Sequence, residues 1–143
     1  MHPLIPWVLA HFVLAAVVTW LARGYALKHR LLDQPGERRC HAVATPRGGG
    51  IAIVVAVVMG CVWLGIIWPG QRLFLSAYVA GLVLVAGIGW LDDHRPLTPW
   101  SRLAVQAVAG LILALGTYVS TQAWLPGIAA FVLVMVLVNV WNF

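Results

Sequence analysis

The chain has 143 residues, of which 62% are hydrophobic and 9% are charged, with a formal net charge of +5. A soluble domain of this length carries about a quarter charged residues. Nine Lys and Arg with four Asp and Glu cannot cover such a surface. A water-soluble globule is therefore excluded, and lipid is the solvent the composition fits.

Four stretches are free of charge: 1–22, 48–71, 73–91 and 103–143. A membrane-spanning helix needs roughly 20 apolar residues, so the first three each fit one span. The fourth is broken near Gln122-Ala123-Trp124-Leu125-Pro126-Gly127, where Pro and Gly punctuate a helix. Five spans follow, near 3–22, 49–68, 73–91, 103–121 and 125–143. Strands with unpaired edges are too costly in hydrocarbon, and no alternating segments point to a barrel. The predicted fold class is all-α, a multi-pass helical membrane bundle forming a single domain over 1–143. The start Met-His-Pro-Leu has no basic run and no small-residue cleavage pattern, which predicts no removable signal peptide.

Between spans 1 and 2 lie Arg23, Lys28, Arg30, Arg38, Arg39 and Arg47, and between spans 3 and 4 lie Arg95 and Arg102. The remaining connections hold only Arg72. Basic residues favour the cytoplasmic side, so the first and third loops are predicted to be cytoplasmic and the N-terminus outside. Trp20, Trp68, Trp90, Trp100, Trp124 and Trp141 fall near span ends, as an interfacial belt requires. Trp7 and Trp63 lie deeper and are expected to pack. The positive charge is topological, predicting membrane lipid and no nucleic acid as partner, and it also favours phosphorylated ligands at the inner face.

Intramembrane ionisable groups, which pumps and proton-coupled carriers use, reduce here to His11. That residue is expected to hydrogen-bond a neighbouring helix. Chemistry is thereby moved to the loops. Three glycines, Gly48, Gly49 and Gly50, follow Thr45-Pro46-Arg47 and open span 2. Backbone amides at such a helix start can cradle a phosphate. Arg and Gly at a span start also serve as a plain anchor and a flexible turn, and the segment alone leaves both open. Asp92 and Asp93 end span 3, where the helix dipole disfavours negative charge and adjacent carboxylates repel. A divalent cation among phosphates would relieve them; a solvated loop start with Arg95 as counter-charge would also do so. Asn139 and Asn142 are spaced to share a helix face near the end of span 5, as metal or phosphate ligands or as helix-to-helix links.

Together these segments resemble the polyprenyl-phosphate sugar-1-phosphate transferases of glycosyltransferase family 4. The family's first cytoplasmic loop, Asp-x-Pro-x-x-Arg-Lys-x-His and then Thr-Pro-Arg-Gly-Gly, is matched by Asp33, Pro35, Arg38, His41, Thr45, Pro46, Arg47, Gly48 and Gly49. Its Gly-x-x-Asp-Asp is similar to Gly89, Asp92 and Asp93, and a following pattern to Leu97, Arg102-Leu103 and Gln106. A later motif, Asn-x-x-Asn-Phe-Met-Asp-Gly, begins as Asn139, Asn142 and Phe143. Arg39 replaces the usual Lys and Ala44 the usual Pro.

The resemblance implies transfer of a sugar-1-phosphate from a UDP-N-acetyl sugar to undecaprenyl phosphate, with release of UMP and with Mg2+ as cofactor. Asp92 and Asp93 would be catalytic, His41, Thr45, Arg47, Gly48 and Gly49 would bind substrate, and Asn142 would ligate the metal. It implies the bacterial inner membrane, an active site on its cytoplasmic face, and envelope polysaccharide synthesis of the O-antigen, lipopolysaccharide or peptidoglycan type. It further implies a longer enzyme, of which these residues are the N-terminal portion, inactive alone. The rival expectations are a non-catalytic helical scaffold and a transporter subunit.

Overall fold

The computed structural model describes residues 4–33 and 44–141. Among these residues are five α-helices: α1 (Leu4–Lys28), α2 (Gly50–Ile67), α3 (Arg72–His94), α4 (Pro99–Thr121) and α5 (Trp124–Trp141). Four helical segments are long and apolar enough to cross a membrane, and Trp124–Val140 is a shorter apolar helix. The all-α, multi-pass class read from the sequence is therefore the observed one. The chain divides into two compact units, Met1–Val57 and Val58–Phe143.

In the first unit, α1 runs for 25 residues, about 37 Å at 1.5 Å per residue. It continues past the predicted end at 22 because a helix needs no apolar side chains once it leaves hydrocarbon, and Lys28 suits the negative end of its dipole. It stops at Arg30, which takes a left-handed φ of 55°. The Arg30 N–H then donates to Leu27 O and the Leu31 N–H to Ala26 O, at 3.4 and 2.9 Å. This double closure satisfies the orphan carbonyls of the last turn, with Ala26 buried beneath it.

A two-residue ribbon follows, too short to leave a periodic signal in the sequence. β1 (Leu32–Asp33) pairs antiparallel with β2 (Thr45–Pro46), in register Leu32 to Pro46 and Asp33 to Thr45. The Arg47 N–H donates to Leu31 O at 2.9 Å, extending the pairing by one bond. His11 does not link to another helix as expected. Its Nδ1 lies 2.9 Å from Trp7 O in the same helix, and its ring sits tilted against Trp7 with centroids 4.0 Å apart. In a helix the i and i+4 side chains meet, so the nearest acceptor was local.

In the second unit, α2 ends at a Pro69–Gln71 3-10 turn, and the Arg72 Nε donates to Gly65 O at 2.8 Å across it. Helices α3, α4 and α5 pack through small residues. The position a Cβ would take on Gly81 lies 3.2 Å from Ala109 O, and on Gly127 2.9 Å from Ala114 O. Gly116 meets the Ala77 methyl, and Gly110 faces the Phe131 ring. Within a membrane, close backbone approach of this kind supplies the van der Waals contact that holds helices together. Tyr118 and Trp124 stack at 3.9 Å where α4 turns into α5. Gln122 closes α4 in the left-handed region, donating its N–H to Tyr118 O at 2.7 Å. Trp63 is 50% exposed on α2 rather than packed. Its surface, like most outward faces of these helices, is apolar, as lipid-facing residues are.

Candidate functional site

The predicted site residues fall in two places, one in each unit. In the first, the ribbon fixes the Thr-Pro-Arg-Gly segment. Pairing of Asp33 with Thr45 and the bond from Arg47 to Leu31 tie the segment to the end of α1. Thr45, Arg47 and Gly48 are half-buried, and Gly49 is exposed. Gly48 has φ +90°, a conformation that costs an L-residue roughly 1–2 kcal/mol. That angle swings the chain from the ribbon into α2, and the Ile51 N–H donates back to Gly48 O at 3.2 Å.

Among the described residues, side chains on Gly48, Gly49 or Gly50 would each meet nothing within 4 Å. Conformation demands the first, and all three stand at the N-terminal end of α2, where helix amides lack partners within the helix. His41 lies outside the described residues, so its expected role in this segment has no structural counterpart here.

The second place is the α3–α4 turn. The α3 helix ends at His94, because Arg95 precedes Pro96 and is driven to extended geometry, φ −143° and ψ 116°. Its N–H still donates to Leu91 O at 2.8 Å. Thr98 then caps α4, accepting the Ser101 N–H at 3.2 Å, with Pro99 at the first helical position. The expected start at 103 was therefore a full turn late: Arg102 lies inside the helix, and Thr-Pro is the signal that would have placed its start.

Both oxygens of Asp92 are engaged in this turn. Oδ1 accepts the Leu97 N–H at 2.8 Å, and Oδ2 accepts from an Arg102 guanidinium nitrogen at 3.2 Å. The Asp92 and Arg102 side chains are about 30% exposed, 29% and 32%, so the pair is partly shielded from solvent. The counter-charge of Asp92 is therefore Arg102, ten residues on, rather than Arg95. Asp93 is half-buried beside it. His94 turns its Nδ1 to Trp90 O at 2.8 Å, and its ring lies tilted against the Trp90 indole with centroids 4.1 Å apart.

One turn along α4 from Arg102, Gln106 is 2% exposed, and its Oε1 has no hydrogen-bond partner. A buried acceptor left unpaired costs roughly 1–3 kcal/mol, so this residue is held at the α3–α4 end of the unit against its own energetics. The Asn139 Nδ2 donates to Met135 O at 2.7 Å within α5. Asn142 lies outside the described residues. Among the described residues no cluster of three or more His, Cys, Asp or Glu could hold a metal by itself.

The fold defines a multi-pass helical membrane protein, and the described residues predicted for the site lie at helix ends. Comparison with known proteins is more specific. The chain is 31% identical over 101 residues to a probable undecaprenyl-phosphate N-acetylglucosaminyl 1-phosphate transferase of Bacillus subtilis, covering 70% of this chain and 27% of that protein. It is 36% identical over 110 residues to a decaprenyl-phosphate N-acetylglucosaminephosphotransferase of Mycobacterium tuberculosis, covering 69% and 27%. An undecaprenyl-phosphate alpha-N-acetylglucosaminyl 1-phosphate transferase of Escherichia coli O157:H7 is 28% identical over 121 residues, covering 81% and 31%. No family profile and no solved structure matches. The curated homologues of this chain are thus named as polyprenyl-phosphate N-acetylglucosamine-1-phosphate transferases, and the chain spans under a third of the length of these relatives.

Proposed function

We propose that this chain forms part of an enzyme that moves a sugar-1-phosphate from a UDP-linked N-acetyl sugar to undecaprenyl phosphate or a similar polyprenyl phosphate. The reaction joins a lipid phosphate oxygen to the sugar-linked phosphorus and breaks that phosphorus's bond to the bridging oxygen, so that UMP leaves. The observation that carries the reading is the likeness, over about 70% of this chain, to relatives named for such transfer. The positions of the motif residues at helix ends, within reach of both lipid and water, are consistent with it.

Both reactants are anionic, so the site's task is screening and alignment. The lipid phosphate needs little deprotonation, since a monoester's second pKa is about 6. Arg47 supplies positive charge beside the amides of Gly48 and Gly49, with Thr45 and His41 as further substrate contacts. Mg2+ takes one or two carboxylates and completes its shell with water and phosphate oxygens. The half-buried Asp93 is a donor of that kind, with Asn142 as a second oxygen donor. Such an ion, when bound, supplies charge neutralisation on the pyrophosphate. Asp92 and Asp93 lie together at the end of α3, where such an ion would draw the reacting phosphates to the carboxylates.

The loops bearing Arg47 and Asp93 would face the cytoplasm, with the N-terminus outside, in a bacterial inner membrane engaged in envelope polysaccharide synthesis. The test is an assay of the full-length protein in proteoliposomes with undecaprenyl phosphate and UDP-N-acetylglucosamine. UMP and a lipid-linked sugar pyrophosphate should form in equal amounts. Failure to form either with this donor and with other UDP-N-acetyl sugars, in membranes where the protein is folded, would refute the proposal.

A further inference from the structure

We infer that Gln106 is a second seat for the Arg102 guanidinium: Arg102 rests on Asp92 in the structure, and turns to the Gln106 carbonyl when the Asp92 carboxylate is engaged by another cation. The seat itself stands apart from the transferase reading; its use during transfer rests on that reading.

Gln106 presents a group that the fold leaves unexplained. Its side chain is 2% exposed, and Oε1 has no hydrogen-bond partner among the described residues. Helix α4 packs on two neighbours: Ala109 meets Gly81 of α3, and Gly110 meets Phe131 of α5. At about 100° per residue, position 106 lies about 60° from 109 and about 40° from 110. Gln106 therefore stands between the two packed stripes of α4, sealed on both sides. A ligand arriving from lipid or water would have to part the helices to reach it, so its partner comes from within the protein.

Arg102 is the donor placed to serve. It lies four residues earlier on α4, and side chains at that spacing have Cβ atoms about 5–6 Å apart. Helix side chains lean toward the N-terminus, which sets the Gln106 amide back over the turn that carries Arg102. The present hold on Arg102 is loose. Its contact with Asp92 Oδ2 is 3.2 Å, longer than the ~2.7–2.9 Å usual for charge-assisted bonds. Both side chains are also partly exposed, 32% and 29%. Asp92 Oδ1, by contrast, holds the Leu97 N–H at 2.8 Å. A guanidinium carries several N–H donors on a long side chain, so rotation can exchange the carboxylate for the carbonyl with the backbone of α4 unchanged.

The exchange gives Gln106 a task. A cation that takes Asp92 meets the like charge of Arg102, which disfavours it. A displaced guanidinium with no acceptor in a partly shielded joint also loses hydrogen bonding that water does not fully replace. Gln106 relieves both: it accepts the guanidinium and draws it away from the end of α3. It is thus a positioning residue, acting on the carboxylate through Arg102.

The test is a change of sign, read as unfolding midpoints of the full-length protein in detergent. In the wild-type background Gln106→Leu should raise the midpoint, since it removes an unpaired acceptor. In an Asp92→Asn background the same substitution should lower it. There the new amide keeps its oxygen for the Leu97 N–H and turns its NH2 group toward Arg102, which moves to Gln106. An Asp92→Ala background should show the same reversal. With Arg102→Met added to either background, Gln106→Leu should raise the midpoint again. A shift of one sign and size in every background would overturn the seat, because the effect of Gln106 would then be independent of Arg102.

Mg2+ titration reads its use. In Gln106→Leu the half-saturating Mg2+ concentration should rise roughly tenfold, the loss of one hydrogen bond to a charged group, both for transfer and for thermal stabilisation of the protein without substrates. An unchanged Mg2+ requirement in both readouts would overturn the role in transfer. Absence of transfer in the wild-type protein would count against the transferase reading, and the sign test would still decide the seat.

Discussion

Gln106→Leu separates the demands of stability from those of function at the α3–α4 end. The native side chain is 2% exposed, with an unpartnered Oε1, and Leu fills a similar volume without the amide. Removing an unsatisfied buried acceptor returns roughly 1–3 kcal/mol. Imperfect refilling of the space by a differently shaped side chain costs about 1 kcal/mol of that. A net gain near 1 kcal/mol is expected, read as a higher midpoint for unfolding of the intact protein in mixed micelles. Transfer activity should fall in the same variant, since a polar group kept at an energetic cost is accounted for by a partner it meets in the working enzyme. A loss of more than 1 kcal/mol in stability would refute this reasoning, because it would mean the amide already has a partner in the resting protein. A gain in stability with full activity would refute the functional half alone.

Gly48→Ala should lower stability by roughly 1–2 kcal/mol, because Gly48 holds φ +90°, while Gly49→Ala, whose added methyl meets nothing within 4 Å among the described residues, should leave folding intact; unfolding midpoints of the two variants distinguish them. Gly116→Ala drives one methyl against another on Ala77 and should destabilise by about 1–3 kcal/mol, whereas Gly87→Ala, which meets nothing within 4 Å on the same bundle's α3, should be neutral or stabilising by the same measurement. Arg47→Ala should raise KM for the UDP-sugar more than it lowers kcat, measured by initial rates. Cysteines introduced at positions 38 and 95 should resist labelling from outside intact cells and one at 71 should react; reaction at 95 would reverse the proposed orientation.

The five helices were legible because hydropathy alone dictates them. Hydrocarbon accepts only backbone that satisfies itself; three of the four uncharged runs suit one helix each, and the fourth, broken at Pro126-Gly127, suits two. Their ends were less legible. The α1 helix runs on through Arg23 and Lys28 to a left-handed Arg30, since charge ends a membrane span without ending a helix. The α4 helix begins before Arg102, at a Thr-Pro cap. The ribbon joining Asp33 to Thr45 was invisible, because strands of two residues carry no periodic signal. Its formation nonetheless ties together the two parts of a motif that the sequence separates by eleven residues.

The Asp pair shows most clearly where reading along the chain stops being reading in space. The nearest arginine to Asp92 and Asp93 in sequence is Arg95, and a solvated pair with that residue was one expectation for them. Proline at 96 makes Arg95 extended, which carries it out of the helical path that would have set its side chain on the α3 face below. The same proline shortens the connection, so that α4 folds back at once and brings Arg102 to within 3.2 Å of Asp92. The identity of the counter-charge is thus decided by the turn, and the turn is decided by Pro96 and the Thr98 cap. Two carboxylates that look equivalent in sequence differ in space for that reason: Asp92 is drawn into the joint between two helices, and Asp93, one residue along, stands about 100° further round α3.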